Sequence, residues 1–490
     1  MKEKYRILVV EDDETIRNNY LTQLKKNNEY ILSEASKSKE ALEILKDTIP
    51  DIIICHLKMP DMDAEELYKC LKDDPDSPYS GIYFIVASSR EEKQEVIKLM
   101  SEGADAYLRR PIDPEELQAK LKVAERVISS IKRSMFEYQR MFSEFDVLLI
   151  QDGGCSPGYN PVTAFITHHI ERNGREVYAT REGFKSLVAG EYDDFVRLVY
   201  DPILFKKLDN IPGIYHAAPL SESRGAQLRS ERYKEFKKES IIKKAVKTIQ
   251  KKKIKCIIAI GGNGTFQGLW SLCHLIPSSI QAFFIPVTID SDIYGTDCIG
   301  QHTGIEVGSE KIRSYMADAR THKRVYIIEM MGAQGGFHAL HSCLGARAHL
   351  AVLPNSVIDP KKVVEAINRR EECVIVVAEG YKQEERQAKG KKMNAAEYFY
   401  EELTKTKIKI NKRVVCEPFS RDIRGAAPNN QDITLAQRMA YNVASYLQAG
   451  TSRLMPAVLS GREYAIPFHM IKTDNEVPED LFALSDRLTR

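Results

Sequence analysis

The chain has 490 residues, of which 43% are hydrophobic and 29% charged, and its formal net charge is +2. That length exceeds what one core usually serves, so roughly two or three domains are expected, and the near-neutral balance gives no reason to expect nucleic acid or an acidic membrane as partner. No apolar stretch approaches the roughly 20 residues of a membrane span, the apolar run in MKEKYRILVVEDD is too short for a signal peptide, and the nine cysteines contain no CxxC pair, which points to thiols in a reducing cytoplasm.

Residues 1–124 alternate short apolar runs (6–10, 52–55, 82–87) with stretches of helical spacing (14–26, 38–47, 91–103). This βα alternation predicts an α/β fold with a doubly wound parallel sheet. Residues 113–143 read as one long helix. Its apolar positions Leu121, Ala124, Ile128, Ile131, Met135, Tyr138 and Phe142 alternate steps of three and four. That pattern suits either a helix packed on its own domain or a dimerising connector, with 125–144 as the connecting segment. From 145 to 490 the alternation returns, with strand-like runs at 145–150, 256–260, 283–287, 325–330 and 374–379. Each run leads into Gly, Asp, Glu or Thr, and ligands in open α/β sheets sit at such carboxyl ends. The polar stretch 382–394 reads as a surface loop or the start of an exposed helix.

The string DIIICHLKMPDMDA (51–64) resembles the active-site strand of a response-regulator receiver domain. Segments 9–17, 84–92 and 103–113 complete the resemblance, which implies a flavodoxin-like doubly wound sheet over 1–124. The family carries a phosphate-accepting aspartate where this chain has His56. Glu11 and Asp12 match the family's acidic pair, Val86 stands at its hydroxyl position and Arg110 at its lysine. Nucleophile and metal ligand are lost together, and an arginine fork is no lysine. A histidine can carry phosphate, but a lone histidine is more often structural. The expectation is a pseudo-receiver of phosphorelay type that is not itself phosphorylated, kept for the surface it offers a signalling partner.

Four motifs in the second segment resemble the phosphofructokinase family in order and spacing, which implies a two-lobed α/β domain over 145–490. In QDGGCSPGYN (151–160), Gly153 and Gly154 let backbone N–H groups approach phosphate. In ERYKEFK (231–237) the resemblance places Arg232, Tyr233 and Lys237 near a nucleotide. IGGNGTFQG (260–268) brings Gly262, Gly264, Thr265 and Gly268 into a phosphate-cradling turn at a helix N-terminus. Asn263 stands where the family has a magnesium-binding acid, and an amide is the poorer ligand for a hard cation. PVTIDSDIYGTD (286–297) resembles the family signature. It implies Asp290 as the base that takes the sugar 1-hydroxyl proton, Thr288 orienting the acceptor, and Asp292 supporting metal or base.

Downstream, the resemblance implies Arg324 reaching the sugar 6-phosphate across a subunit boundary, with Met331 and Gly332 lining the sugar. It also implies Glu379 binding sugar hydroxyls, Arg424 gripping the sugar phosphate, and Arg413 as a second grip. Ala333 replaces an expected arginine, and Arg421 has no assigned place. The function expected is transfer of phosphate from ATP to fructose 6-phosphate, a glycolytic reaction, slowed by Asn263 and Ala333, with weakly bound Mg2+, in a homo-oligomer. Pyrophosphate is the other donor considered: Gly264 leaves room for ATP, while Val287 is typical of neither class of user. The alternative is a catalytically silent sugar-phosphate or nucleotide sensor acting as a signalling scaffold.

Overall fold

Apolar runs at 5–10 and 52–56 lie side by side in the first sheet because both their faces are covered. Ile7 and Val9 join one core, and Leu8 and Val10 the other, as expected for parallel strands buried on two sides. The computed structural model describes residues 4–72, 77–89, 92–332, 335–388, 393–419, 421–473, 477 and 479–489. It divides into two compact units, Met1–Gln139 and Arg140–Arg490.

The first unit contains β1 (Tyr5–Val10), β2 (Tyr30–Ala35), β3 (Ile52–His56), β4 (Tyr83–Ser88) and β5 (Ala106–Arg109). They pair in parallel in the order β2-β1-β3-β4-β5, the flavodoxin-like order. Asp13 caps the helix Glu14–Lys25, its Oδ1 accepting from the N–H groups of Thr15 (2.8 Å) and Ile16 (3.1 Å). The cap turns Asp13 to a structural task and leaves Glu11 and Asp12 at the carboxyl end of β1.

The long helix runs Pro114–Met141. Leu121, Ala124 and Ile128 are buried in the first unit's own core together with Leu117. The first half of the heptad pattern is therefore spent on the domain itself. Phe142 is buried in the second unit, edge-on to Phe145 and Tyr178. The side chains of Ile131, Met135 and Tyr138 lie outside the described residues.

In the second unit the strands are β6 (Val147–Gln151), β7 (Val177–Thr180), β8 (Phe195–Val199), β9 (Ile214–His216), β10 (Cys256–Gly261), β11 (Gln281–Pro286), β12 (Val325–Met330), β13 (Leu350–Val352), β14 (Cys373–Ala378), β15 (Val414–Pro418), β16 (Leu454–Leu459) and β17 (Arg462–Pro467). Among the described residues they form an eight-stranded sheet, β17-β16-β11-β10-β6-β7-β8-β9, and a four-stranded sheet, β13-β14-β12-β15. Among the described residues only the β7–β8 and β16–β17 pairs are antiparallel. The smaller sheet is covered by apolar clusters on both faces. The polar stretch after 381 contains a short helix, Gln383–Ala388. Among the described residues no helix is long and apolar enough to cross a membrane.

Candidate active site

Three neighbouring strands of the large sheet, β6, β10 and β11, end at one edge, and a glycine-rich or acidic loop follows each. After β6 come Asp152, Gly153 and Gly154. After β10, Gly262 opens the helix Asn263–Cys273. After β11 run Val287 to Asp292. Close packing between these loops requires glycine at 261: a Cβ there would lie 2.3 Å from both the Asp152 carbonyl oxygen and the Thr265 Oγ1. Thr265 Oγ1 donates to that carbonyl at 2.8 Å, tying the two loops together.

The loops wall a cleft of about 720 Å³. Its lining includes Gly153, Gly154, Arg232, Tyr233, Lys237, Gly262, Asn263, Gly264, Thr265, Gly268, Thr288, Asp290, Asp292 and Arg424. Each of these was singled out in the sequence. The two ends of the cleft differ in chemistry. At one end the rings of Phe184 and Phe236 stack 4.1 Å apart, packed so tightly on Gly268 that a Cβ there would meet Phe184 at 2.9 Å. At the other, two guanidinium groups converge over the glycine loop. A Cβ on Gly154 would lie 2.8 Å from Arg232 Nη2 and 3.2 Å from Arg424 Nη1. Arg424 is held there by donating to the Cys155 carbonyl at 3.1 Å. Two arginines beside a glycine loop and a helix N-terminus make an anion cradle.

Beside the cradle lie the carboxylates. Burial pushes the Asp290 carboxyl above the usual range, and Arg424, with Nη2 3.9 Å from Oδ1, partly offsets it. That spacing is an ion-pair distance too long for a hydrogen bond. Asp292 is pushed up to about 6, first by burial and then by the charge of Asp290. Asp152 also rises to about 6 through burial. The Asp290 N–H donates to Thr288 Oγ1 at 3.1 Å.

Magnesium has residues here that fit it. Asn263 Oδ1 and Asp292 Oδ1 are buried in the cleft wall without hydrogen-bond partners. They are hard oxygen acceptors of the kind that binds this ion alongside phosphates and waters.

The sugar-side residues separate into two groups. Met331 and Gly332 follow the carboxyl end of β12 and Glu379 that of β14, the Glu379 N–H donating to the Met330 carbonyl at 2.9 Å. The charge of Glu379 is felt at Asp290. Arg324 and Arg413 stand at the other end. They precede β12 and β15, and their strands pair Val325 with Val414. The Val325 N–H donates to the Arg413 carbonyl at 3.0 Å. The structure thus brings these two arginines together, but not to their own chain's Glu379. Arg421 is exposed on the short turn Arg421–Ile423. Ala333 lies outside the described residues.

Sequence reasoning missed Asp152, although it adjoins the Gly-Gly pair. It read 231–237 for charge and passed over Phe236. Phe184 follows a weak, short strand and carries no signal of its own. His338 was missed too; it is buried on the helix Phe337–Ala346 with Nδ1 2.9 Å from the Met331 carbonyl oxygen.

In the first unit Glu11, Asp12, His56 and Arg110 meet at the carboxyl ends of β1, β3 and β5. His56 Nδ1 lies 2.9 Å from Asp12 Oδ1. Arg110 contacts His56 Nε2 and places Nη2 3.4 Å from Glu11 Oε1. Val86 is not part of this group. The register pairs His56 with Ala87, whereas Val86 pairs with Cys55 and is buried with it in the core. One residue of register turns a side chain to the opposite face, and Ala87 likewise has no hydroxyl.

Comparison with known proteins agrees with both units. The sequence model "Response regulator receiver domain" matches residues 7–122, and the model "Phosphofructokinase" matches residues 146–447. The chain is 28% identical over 352 residues to the ATP-dependent 6-phosphofructokinase of Thermotoga neapolitana, covering 70% of this chain and 99% of that protein. It is 29% identical over 344 residues to ATP-dependent 6-phosphofructokinase 1 of Thermus thermophilus, covering 69% and 97%. Its fold is like that of the phosphofructokinase of Saccharomyces cerevisiae (TM-score 0.55, 18% identity, 70% of this chain and 46% of that one). It is also like the pyrophosphate-dependent phosphofructokinase of Marinobacter aquaeolei (TM-score 0.56, 17% identity, 70% and 90%). With most of its length matched by that family's model, and a receiver domain ahead of the matched segment, the chain belongs to the phosphofructokinase family.

Proposed function

We propose that this chain transfers a phosphoryl group from ATP to the 1-hydroxyl of fructose 6-phosphate, with Asp290 as the base. The observation that carries the reading is Asp290 itself: its Oδ1 is buried without a hydrogen-bond partner, beside the Arg424 guanidinium of the cradle. Retention of a carboxylate at the base position favours the enzyme over the sensor.

Phosphoryl transfer is largely positioning and charge stabilisation. The cradle of Gly153, Gly154, Arg232 and Arg424 holds the transferred group. Asp290 takes the hydroxyl proton as the bond forms, and its raised affinity for protons suits that task. Bound Mg2+ supplies charge neutralisation of the phosphates, and Asp292 and Asn263 are the residues that would hold it. Glu379 and the Met331–Gly332 turn orient the sugar. ATP is favoured over pyrophosphate because a Cβ built at Gly264 meets nothing within 4 Å, which leaves room for the nucleoside. The chain self-associates so that Arg324 and Arg413 complete the site of another copy.

The test is turnover of fructose 6-phosphate with ATP, or with pyrophosphate, across a magnesium titration. Turnover with ATP is expected. Calorimetric binding of both ligands without turnover in any condition would replace the enzyme with the sensor.

A further inference from the structure

The receiver unit contains the one group of three or more His, Cys, Asp or Glu side chains, among the described residues, whose ligand atoms converge as a metal site requires. Glu11, Asp12 and His56 each offer one atom, all within 4.8 Å of one another. His56 Nδ1 is 2.9 Å from Asp12 Oδ1 and 3.6 Å from Glu11 Oε1. Ligands held at ~2.0–2.2 Å in a tetrahedron stand roughly 3.3–3.6 Å apart, so small movements close the site. A second observation points the same way. Glu11 is only 1% exposed, yet its Oε2 has no hydrogen-bond partner. Asp12, with its side chain 40% exposed, leaves a way in and room for water ligands.

The donor set does not suit the magnesium of a phosphate-accepting receiver. Magnesium asks for an octahedron of hard oxygens. Here an imidazole nitrogen stands at the centre of the group, and imidazole favours borderline ions such as Zn2+, Co2+ and Ni2+. Arg110 is the competitor. A guanidinium only donates, so its contact with His56 Nε2 makes that nitrogen the acceptor and leaves the ring proton on Nδ1, facing Asp12. A metal on Nδ1 requires the other tautomer: the proton leaves Nδ1, Nε2 gains one, and the ring stays neutral. Nε2–H no longer accepts from Arg110. Metal and guanidinium therefore exclude each other.

We propose that the pseudo-receiver site binds a divalent transition metal of the Zn2+ class through His56 Nδ1, Asp12 and Glu11, rejects Mg2+, and releases the Arg110 guanidinium when it does so. The site then has two states, arginine-in and metal-in, at the position where a working receiver alternates between empty and phosphorylated.

The experiment titrates the metal-free full chain with ZnCl2 by calorimetry, and with CoCl2 by visible absorption, in the presence and absence of millimolar MgCl2. One tight Zn2+ site per chain is expected, unaffected by Mg2+. His56→Ala and Glu11→Gln should each weaken it by roughly tenfold or more. Arg110→Ala should tighten it, a gain that misfolding does not produce, and His56→Asp should move the preference toward Mg2+. Zn2+ affinity unchanged in His56→Ala, equal or weaker binding in Arg110→Ala, displacement by Mg2+, or no Zn2+ binding at all would each overturn the proposal.

Discussion

Between Asp290 and Asp292 stands Ser291, with φ at +54°, a left-handed backbone that costs a serine about 1–2 kcal/mol. The kink lets two acids so near in sequence line one cleft, and strain of this kind collects at working sites. The two acids are separable by experiment. Asp290→Asn keeps the shape and removes the base, so kcat should fall by about 10²–10⁴ while fructose 6-phosphate affinity is largely spared. Steady-state kinetics with direct sugar binding checks this, and an unchanged kcat would remove Asp290 from the chemistry. Asp292 is read through pH. Its carboxyl moves from 3.8 unfolded to about 6 folded, mainly through burial. Between those values the native chain holds a proton that the unfolded chain has lost, so stability from this group is present below 3.8 and is lost as pH rises through about 6. In metal-free buffer Asp292→Asn should therefore be more stable than the natural protein above pH 6, by up to about 3 kcal/mol, with the difference closing toward pH 4. Urea unfolding of both proteins across that range measures it; a difference independent of pH would mean the carboxylate is not held out of water.

At the scale of elements, the helix Pro114–Met141 decides between the two readings of its heptad pattern. Leu121 is fully buried in the receiver core. Leu121→Ala should destabilise that domain by about 2–5 kcal/mol through lost burial and the cavity left behind, while sedimentation shows the association state unchanged. A shift to smaller species at unchanged stability would restore the dimer seam. The same helix shows what the sequence could convey. Its period and length were legible, and its partner was not, because a helical stripe specifies an apolar face without saying what covers it. The loops of the cleft were legible for a different reason: Gly261 to Gly268 and Thr288 to Asp292 carry their chemistry in consecutive residues. Phe184 joins the cleft through contacts with Phe236 and Gly268, residues far from it in sequence. Short strands such as Ile214–His216 hold mixed residues at a sheet edge and gave no periodic signal. Val86 was misplaced because alignment by composition does not fix register, and a single step reverses the face.

At the scale of the whole molecule the decisive feature is the length of one strand. Arg324 precedes β12 and Gly332 follows it, so six residues of extended chain, about 20 Å, lie between them. Both faces of that sheet are packed, so no local motion carries Arg324 to its own chain's sugar-binding end. If it binds the sugar phosphate, it does so in another copy. The consequence is complementation. Arg324→Ala leaves Asp290 intact, and Asp290→Asn leaves Arg324 intact; each protein alone should be nearly inactive. In a mixed two-fold dimer, the site built on the intact Asp290 receives the intact Arg324 from the other copy, while the second site has neither. Co-expressed in equal amounts with random pairing, half the dimers are mixed and half their sites work, so about one quarter of natural activity should return. The same activity should be absent when either variant is paired with the double mutant Asp290→Asn/Arg324→Ala, apart from the residue of the single variant. Activity of the mixture equal to the mean of the two single variants would show that Arg324 serves no neighbour, and the anion grip on the sugar would then have to come from Arg424 within the same chain.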